Sequence, residues 1–175
     1  LAAETQARAD ERAVAEGSLS YKGTLALRAA NGINDLFLRV HDTHVDAISH
    51  QAGPWETLTI VHADNPGHEG VVHYGDFVAL KAHTGKYLIA DNTLTGETHY
   101  YWVTAVYPAI GAYEKWQIFD PANLGARGPV PRGGRVALLS WRGDNGRKFV
   151  TSGTAGPWWQ KTWCEHDTIR RDANF

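Results

Sequence analysis

Three stretches of the chain share one pattern of apolar and polar positions. They open with Leu25-Ala26-Leu27, Val78-Ala79-Leu80 and Val136-Ala137-Leu138, and each alternates toward a turn before a second strand-like run. The step from Leu25 to Val78 is 53 positions, and the step from Val78 to Val136 is 58. A repeat of this length is typical of one supersecondary unit used several times. The three copies therefore predict a body with pseudo-threefold symmetry.

Each repeat divides into short runs of alternating or β-branched residues, separated by turns rich in Gly, Pro, Asn and Asp. Eleven such runs are predicted as strands: 21–30, 36–40, 44–48, 54–61, 77–82, 87–90, 100–106, 116–119, 136–140, 148–151 and 158–163. Trp116 lies 38 positions beyond Val78, so the fourth strand of the third repeat is expected 38 positions beyond Val136, at Asn174–Phe175. Either this last strand is truncated there, or a segment around Leu19–Tyr21 completes the barrel.

Twelve short strands in three sets of four predict an all-β fold, the β-trefoil. In that fold, half of the strands close a barrel and the other half form hairpins that cap one end. Closure of the barrel protects sheet edges that would otherwise invite aggregation. A β-sandwich, which also combines short strands with frequent turns, is the alternative.

Residues 1–17 differ in composition from the rest of the chain. They are almost all good helix formers, and Gly17 is a typical helix end. Their apolar residues are mostly alanines, which bury little surface, so a helix here is expected to dock weakly. We predict a short N-terminal helical leader or linker at 1–17, followed by the trefoil domain at 18–175.

A threefold core needs equivalent residues at equivalent heights. Two layers are predicted from the strand patterns: Leu27, Leu80 and Leu138 in one, and Leu38, Leu88 and Phe149 in the other. A further set is expected where equivalent strands open: Trp55, Trp116 and Phe175.

Composition removes several classes of function. The formal net charge of −2 gives no field that would attract nucleic acid. No apolar run is long enough to span a bilayer, so no membrane span is predicted. The single cysteine, Cys164, rules out a scaffold held by intramolecular disulfides, but it leaves the compartment open.

Two pieces of the chain resemble a known family. They are Val78–Ala90, with its Ala-Leu-Lys, Thr-Gly and Lys-Tyr-Leu-Ile-Ala elements, and Gly53–Leu58, with its Trp-Glu. In this order they resemble fascin-like actin-crosslinking β-trefoil domains, over residues 23–175. The resemblance implies a non-enzymatic trefoil, because members bundle actin filaments or serve as carbohydrate-binding or accessory modules. The chain differs from fascins in having one slightly acidic trefoil, and it lacks the Gln-x-Trp signature of ricin-type lectins.

Aromatic side chains are the main functional clue. Sugars bind by stacking their C–H faces on aromatic rings, while a few polar groups fix their orientation. Adjacent strand residues face opposite ways, so one member of Trp158-Trp159 should lie outside the core. A hairpin or a protein interface could cover that ring instead. We predict a carbohydrate site in shallow pockets between adjacent repeats, with these candidate residues: Trp158 and Trp159 as the platform, and Trp141, Asp91, His99 and Tyr101 at the rim.

Catalytic and metal-binding patterns are not found in the sequence. The densest histidine clusters, His41-Asp42-Thr43-His44 and His62-Ala63-Asp64, lack the convergent ligands and orienting partners of a metal site. Cys164 lies beside Glu165 and His166, but neighbours in a strand point apart, and no nucleophile elbow exists. We therefore expect a non-catalytic module without metal or cofactor that binds carbohydrate, either as a lectin or as an accessory to another domain. The alternative is a fascin-type module that binds actin or another protein.

Overall fold

The structure is a computed structural model that describes residues 2–29, 36–91, 101–141, 149–152 and 162–166. Helix α1 (Ala2–Ala15) comes first. The strands that follow are β1 (Thr24–Leu25), β2 (Phe37–His41), β3 (His44–Ser49), β4 (Leu58–His62), β5 (Phe77–Ala82), β6 (Tyr87–Asp91), β7 (Tyr101–Tyr107), β8 (Trp116–Phe119), β9 (Ala137–Ser140), β10 (Phe149–Ser152) and β11 (Thr162–His166).

The described strands form two groups, as the trefoil prediction requires. Strands β1, β4, β5, β8 and β9 pair in that order, all antiparallel, and they form the barrel wall. The other strands form three hairpins, β2–β3, β6–β7 and β10–β11, and β7 pairs with both β3 and β11. The chain is therefore an all-β trefoil with a short N-terminal helix, as predicted.

A ring of backbone hydrogen bonds displays the pseudo-threefold symmetry. The Leu19 N–H donates to the Val130 carbonyl at 2.7 Å, Val130 donates to Val72 at 2.9 Å, and Val72 donates back to Leu19 at 2.9 Å. These three residues are 53 and 58 positions apart, which are the spacings of the sequence repeat. The segment around Leu19 therefore holds in the first repeat the place that Val72 and Val130 hold in the other two. The strand expected at Asn174–Phe175 lies outside the described residues and stays a prediction.

The main hydrophobic core contains the first predicted layer. Leu27, Leu80 and Leu138 are all buried, and they belong to one cluster. The cross-strand pairs of these leucines are also equivalent: Ile60 lies opposite Leu80, and Ile118 lies opposite Leu138. The prediction for this layer is confirmed.

The second layer was predicted with an error of one residue in the third repeat. Leu38 and Leu88 lie in the main core, but their partner there is Val150. Phe149 packs in a separate small cluster with Ala137. Because side chains alternate along a strand, a shift of one position moves a residue to the other face.

Trp116 is buried as predicted, whereas the prediction for Trp55 is wrong. Trp116 is 1% exposed, and its indole N–H donates to the Leu88 carbonyl at 3.0 Å. Trp55 is 44% exposed. Residues 54–56 form a turn, and β4 begins only at Leu58, which takes the buried place at the start of the strand.

A buried carboxylate closes this turn in two repeats. The Glu56 Oε2 atom accepts a hydrogen bond from the Gly53 N–H at 2.8 Å, and Glu114 Oε2 accepts one from Gly111 at 2.7 Å. Both glutamates are 6% exposed. They are 58 positions apart, so Trp55 is equivalent to Tyr113 rather than to Trp116.

The run 21–30, predicted as one strand, is divided in the structure. Ser20 forms an isolated bridge with Val71, β1 covers only Thr24–Leu25, and Arg28 bridges to Phe37. The backbone at Lys22 is left-handed, with φ of 62°. A left-handed residue breaks the extended conformation, and that explains the division.

The last described hairpin also differs from its prediction. A strand was predicted at 158–163, and β11 covers Thr162–His166. The observed strand overlaps the predicted one at Thr162 and Trp163 and continues to His166. The prediction for 158–161 falls outside the described residues.

The turn that opens each repeat needs a left-handed residue at one position. The residues there are Lys22, Gly75 and Gly133, with φ of 62°, 91° and 74°. We expect Gly133→Ala to lower the free energy of unfolding by about 1 kcal/mol, because an L side chain is strained in this conformation. Urea unfolding measures the change.

Gly128→Ala is the matched control for this substitution. A Cβ atom at either Gly128 or Gly133 would meet nothing within 4 Å, but Gly128 does not lie in the left-handed region. Its replacement should leave the stability almost unchanged. Equal losses for both variants would contradict the argument from backbone strain.

Candidate functional site

The six predicted ligand residues are described to different extents. Trp141 follows β9, and its side chain is described. Asp91 ends β6 and Tyr101 begins β7. Asp91 pairs with Trp102, so Asp91 and Tyr101 lie at the same end of the β6–β7 hairpin. The following predicted residues lie outside the described part of the chain, and they stay predictions: Trp158, Trp159 and His99.

Trp141 lies on the surface and is held from one side by two neighbours. It is 41% exposed. Its backbone N–H donates to the Lys115 carbonyl at 2.9 Å, and its ring meets the Phe77 ring edge to face, with centroids 4.9 Å apart. These contacts fix the ring, so its exposed part is presented in one orientation.

The Lys115 ammonium group lies between the two rings. Its Nζ atom is 4.7 Å from the Phe77 centroid and 4.9 Å from the Trp141 centroid. The same nitrogen binds both carboxylate oxygens of Asp64, at 2.8 and 3.0 Å. The Lys115 side chain is only 17% exposed, so its interactions with the rings are strengthened by partial removal of water.

Trp55 forms a second exposed aromatic group, which the sequence reading assigned to the core. The ring of His83 lies nearly parallel to it, at 15° and 6.3 Å between centroids. The His41 ring is 5.0 Å away and inclined at 60°. The guanidinium carbon of Arg39 lies 5.7 Å from the centre of the indole.

An ion pair across the first hairpin fixes Arg39. Its Nε and Nη2 atoms donate to the two carboxylate oxygens of Asp46, at 3.2 and 3.1 Å. The two residues are direct partners in the β2–β3 register, and both are half-buried. Within the described residues, Asp46 engages two of the five N–H donors of Arg39, so other donors can meet a ligand.

Trp55 and Trp141, the exposed tryptophans among the described side chains, lie at junctions between consecutive repeats. His83 and Trp141 are 58 positions apart, as are Trp55 and Tyr113. We call the first group (Arg39, His41, Trp55 and His83) the Trp55 patch. We call the second group (Asp91, Tyr113, Lys115 and Trp141) the Trp141 patch. The Trp55 patch joins repeats one and two, and the Trp141 patch joins repeats two and three.

Backbone hydrogen bonds confirm that the two patches are equivalent. The Val40 N–H donates to the Trp55 carbonyl at 2.9 Å, and the Ala90 N–H donates to the Tyr113 carbonyl at 3.3 Å. Asp91 therefore occupies the place in the second patch that His41, which follows Val40, occupies in the first. Two predicted residues, Asp91 and Trp141, thus come to one junction.

Trp55 was missed because the repeats were aligned on the wrong residue. The sequence contains Gly53-Pro54-Trp55-Glu56 and Gly111-Ala112-Tyr113-Glu114, and a common Gly-x-aromatic-Glu pattern relates them. Alignment on this pattern would have placed Trp55 in the turn. It would also have placed Trp55 beside the repeat junction.

A polar and aromatic cluster surrounds Tyr21 at another place. The Tyr21 hydroxyl donates to Asp76 Oδ2 at 2.6 Å, and the rings of His62 and His68 lie 5.5 and 5.2 Å from its own. Burial and the neighbouring Asp76 carboxylate raise the pKa of Tyr21 far above its ordinary value. Tyr21 therefore stays a neutral donor, which suits a structural hydrogen bond.

A cavity of about 390 Å³ is lined by residues of β1 and β9 and of the segments next to them. Its lining includes the core residues Leu27, Leu80 and Leu138 and the exposed residues 132–135. No residue of the Trp55 patch or of the Trp141 patch is among these described lining residues.

The described residues hold neither a metal-binding cluster nor a membrane-spanning helix. They contain no group of three or more His, Cys, Asp or Glu that could hold a metal ion. Within the same part of the chain, no helix has the length and apolar character that crossing a membrane requires.

Comparison with known proteins shows the fold. No protein-family model and no curated protein matches the sequence. The SDF2-like protein from Arabidopsis thaliana is 12% identical, with a TM-score of 0.69, over 90% of this chain and 92% of that one. The S. cerevisiae protein O-mannosyltransferase complex bound to the sugar donor is 12% identical, with a TM-score of 0.68, over 90% of this chain and 25% of that one.

A designed 3-fold symmetric protein, ThreeFoil, is also similar. It is 16% identical, with a TM-score of 0.58, over 86% of this chain and 94% of that one. All these identities are low, so the similarities show the β-trefoil fold alone. They do not show membership of the fascin-like family in particular.

Proposed function

We propose that this trefoil is a non-catalytic module that binds carbohydrate on its two aromatic patches. The observation that carries the proposal is the placement of Trp55 and Trp141, which are 44% and 41% exposed at equivalent junctions between repeats. A large exposed ring held by its neighbours presents a ready face for the C–H groups of a sugar. Two such rings at equivalent junctions, although at different positions within them, are difficult to explain by packing alone.

Each patch combines its ring with the polar groups that a sugar needs. The Trp55 patch has Arg39, which carries further N–H donors for sugar hydroxyls, and the imidazoles of His41 and His83. The Trp141 patch has the Asp64–Lys115 ion pair beside the ring. A few polar groups around an apolar surface are typical of small-ligand sites.

The similar structures agree with this proposal at the level of the fold. One of them belongs to a protein O-mannosyltransferase complex that is bound to a sugar donor. A trefoil body thus occurs in a protein that acts with a sugar. The proposal for this chain rests on its own tryptophans.

The alternative is a protein-interaction module of fascin type, with actin as the named partner. Exposed tryptophans favour it as well, because tryptophan is enriched among the residues that dominate protein interfaces. Cosedimentation with actin filaments at physiological salt tests this alternative. Sedimentation that is lost in Trp55→Ala, together with no sugar binding, would replace the first proposal by the second.

A glycan array followed by titration calorimetry tests the carbohydrate proposal. We expect Trp55→Ala and Trp141→Ala each to weaken binding at its own patch about tenfold, which is about 1.4 kcal/mol of binding free energy. Trp159→Ala tests the platform predicted from the sequence in the same assay. Far-UV circular dichroism checks that each variant is folded.

Tyr107→Ala is the matched control, because Tyr107 is 55% exposed and lies outside both patches at the end of β7. This variant should bind as the original protein does. An array without any bound glycan, or full binding by both tryptophan variants, would refute the proposal.

A further inference from the structure

The two patches differ in one chemical respect, and the pseudo-symmetry makes the difference clear. At the two places where the Trp55 patch has His41 and His83, the Trp141 patch has Asp91 and Trp141. Histidine is the side chain that changes charge in the range of about pH 5 to 8. The Trp55 patch can therefore change its charge under mild acidification at positions where the Trp141 patch cannot.

A third histidine adds to this effect. His44 is the direct cross-strand partner of His41 in the β2–β3 register. Both side chains are exposed, as is that of His83.

The surroundings of Trp55 become positively charged when these histidines are protonated. The charged or titratable residues of the β2–β3 hairpin, of the turn before β4, and of β5 with the turn that follows it are Arg39, His41, Asp42, His44, Asp46, Glu56, Lys81, His83 and Lys86. With neutral histidines, three cations balance three carboxylates. With protonated histidines, six cations stand against the same three carboxylates.

The carboxylates are already engaged to different degrees. Asp46 is paired with Arg39, and Glu56 is buried and accepts a hydrogen bond from Gly53. Their negative charges are therefore directed at groups within the protein. The protonated imidazoles would lie beside the exposed face of Trp55, where a ligand would approach.

We propose that the Trp55 patch is selective for anionic sugars, those that carry a carboxylate or a sulfate group, and that it binds them under mildly acidic conditions. This inference rests on the proposed carbohydrate function. The ring of the sugar stacks on Trp55. Its anionic group meets the imidazoles of His41 and His83 and the remaining donors of Arg39.

Titration calorimetry with three sugars of equal length tests the inference: galactotriose, its uronic acid form and a sulfated form. We expect the protein to bind the uronic acid trimer about tenfold more tightly at about pH 5 than at about pH 8. Galactotriose should show little change. Comparison of the two anionic trimers distinguishes a carboxylate ligand from a sulfate ligand, and a preference for either one supports the inference.

The double variant His41→Gln/His83→Gln should bind the uronic acid trimer with equal affinity at about pH 5 and at about pH 8. His50→Gln is the control, because His50 is exposed at the opposite end of β3 from His44. Trp141→Ala should not alter the pH dependence at all.

Four results would overturn the inference. Equal binding of the anionic trimers at the two pH values is one, and pH dependence that persists in the double variant is another. If galactotriose binds and Trp55→Ala weakens it, while neither anionic trimer is preferred, the proposed function stands and only this inference fails. If no trimer binds under any condition, both fail.

Discussion

Replacing Trp116 with alanine is expected to lower the free energy of unfolding by about 3–5 kcal/mol. Among the residues whose side chains the structure describes, Trp116 is the largest that is fully buried, at 1% exposed, and it packs within the main hydrophobic core. Its truncation leaves a cavity that the surrounding strands can fill only in part. The Leu88 carbonyl also loses the indole N–H that donates to it at 3.0 Å. Equilibrium unfolding in urea measures the loss.

Two further variants separate the causes of this loss. Trp116→Phe keeps most of the ring volume but removes the hydrogen bond to Leu88, so its cost should be intermediate. Trp55→Ala removes the same side chain from an exposed place and should cost less than about 1 kcal/mol. If Trp116→Ala and Trp55→Ala had equal effects, the assignment of Trp116 to the core would be wrong.

The repeat in the sequence was sufficient to predict the trefoil and one layer of its core. Leu27, Leu80 and Leu138 lie at equal places in three alternating strands, and burial of one strand face dictates such a pattern. The same spacings of 53 and 58 reappear in the ring formed by Leu19, Val72 and Val130. Backbone hydrogen bonds between the repeats thus follow directly from the sequence period.

The errors arose where the alignment of repeats was fixed by the wrong residue. Phe149 was matched to Leu88. In the structure, Phe149 pairs with Leu139, and the residue equivalent to Leu139 in the second repeat is Lys81, which pairs with Tyr87. Phe149 is therefore equivalent to Tyr87 and not to Leu88. Val150, which is also apolar, follows Phe149 in the sequence. The alternation of apolar and polar residues therefore could not show which of the two side chains points into the core. The error at Trp55 arose because the repeats were aligned by matching Trp55 to Trp116. Matching the buried glutamate that follows Trp55 to its equivalent in the second repeat gives the correct alignment.

The Trp55 patch could not be assembled from the sequence. Its members come from β2, from the turn before β4 and from the turn after β5, and none of these segments carries a binding motif of its own. Their contact depends on the register of β2 and on the hydrogen bond from Val40 to the Trp55 carbonyl. Such contacts across a junction are set by tertiary structure, which a local pattern does not encode.

Glu114→Ala is expected to lower the free energy of unfolding by about 2–3 kcal/mol. The buried carboxylate of Glu114 accepts a hydrogen bond from the Gly111 N–H at 2.7 Å. Without it, the Gly111 N–H of this partly exposed turn loses its hydrogen-bond partner. A hydrogen bond to a charged acceptor stabilises a fold more than one to a neutral acceptor. Glu114→Gln keeps an acceptor oxygen, so it should lower the free energy of unfolding by about half as much as Glu114→Ala.

The turn that contains Glu114 also lies beside the binding surface. The Glu114→Ala variant can therefore be tested by ligand binding as well as by unfolding. Glu114 lies beside Lys115, whose carbonyl accepts the backbone N–H of Trp141 at 2.9 Å. Glu114→Ala should therefore weaken binding at the Trp141 patch and leave the Trp55 patch intact. Glu56→Ala, its equivalent in the first repeat, should do the reverse. If each variant weakened both patches equally, or if neither changed the stability, the glutamates would not be the residues that hold these two turns.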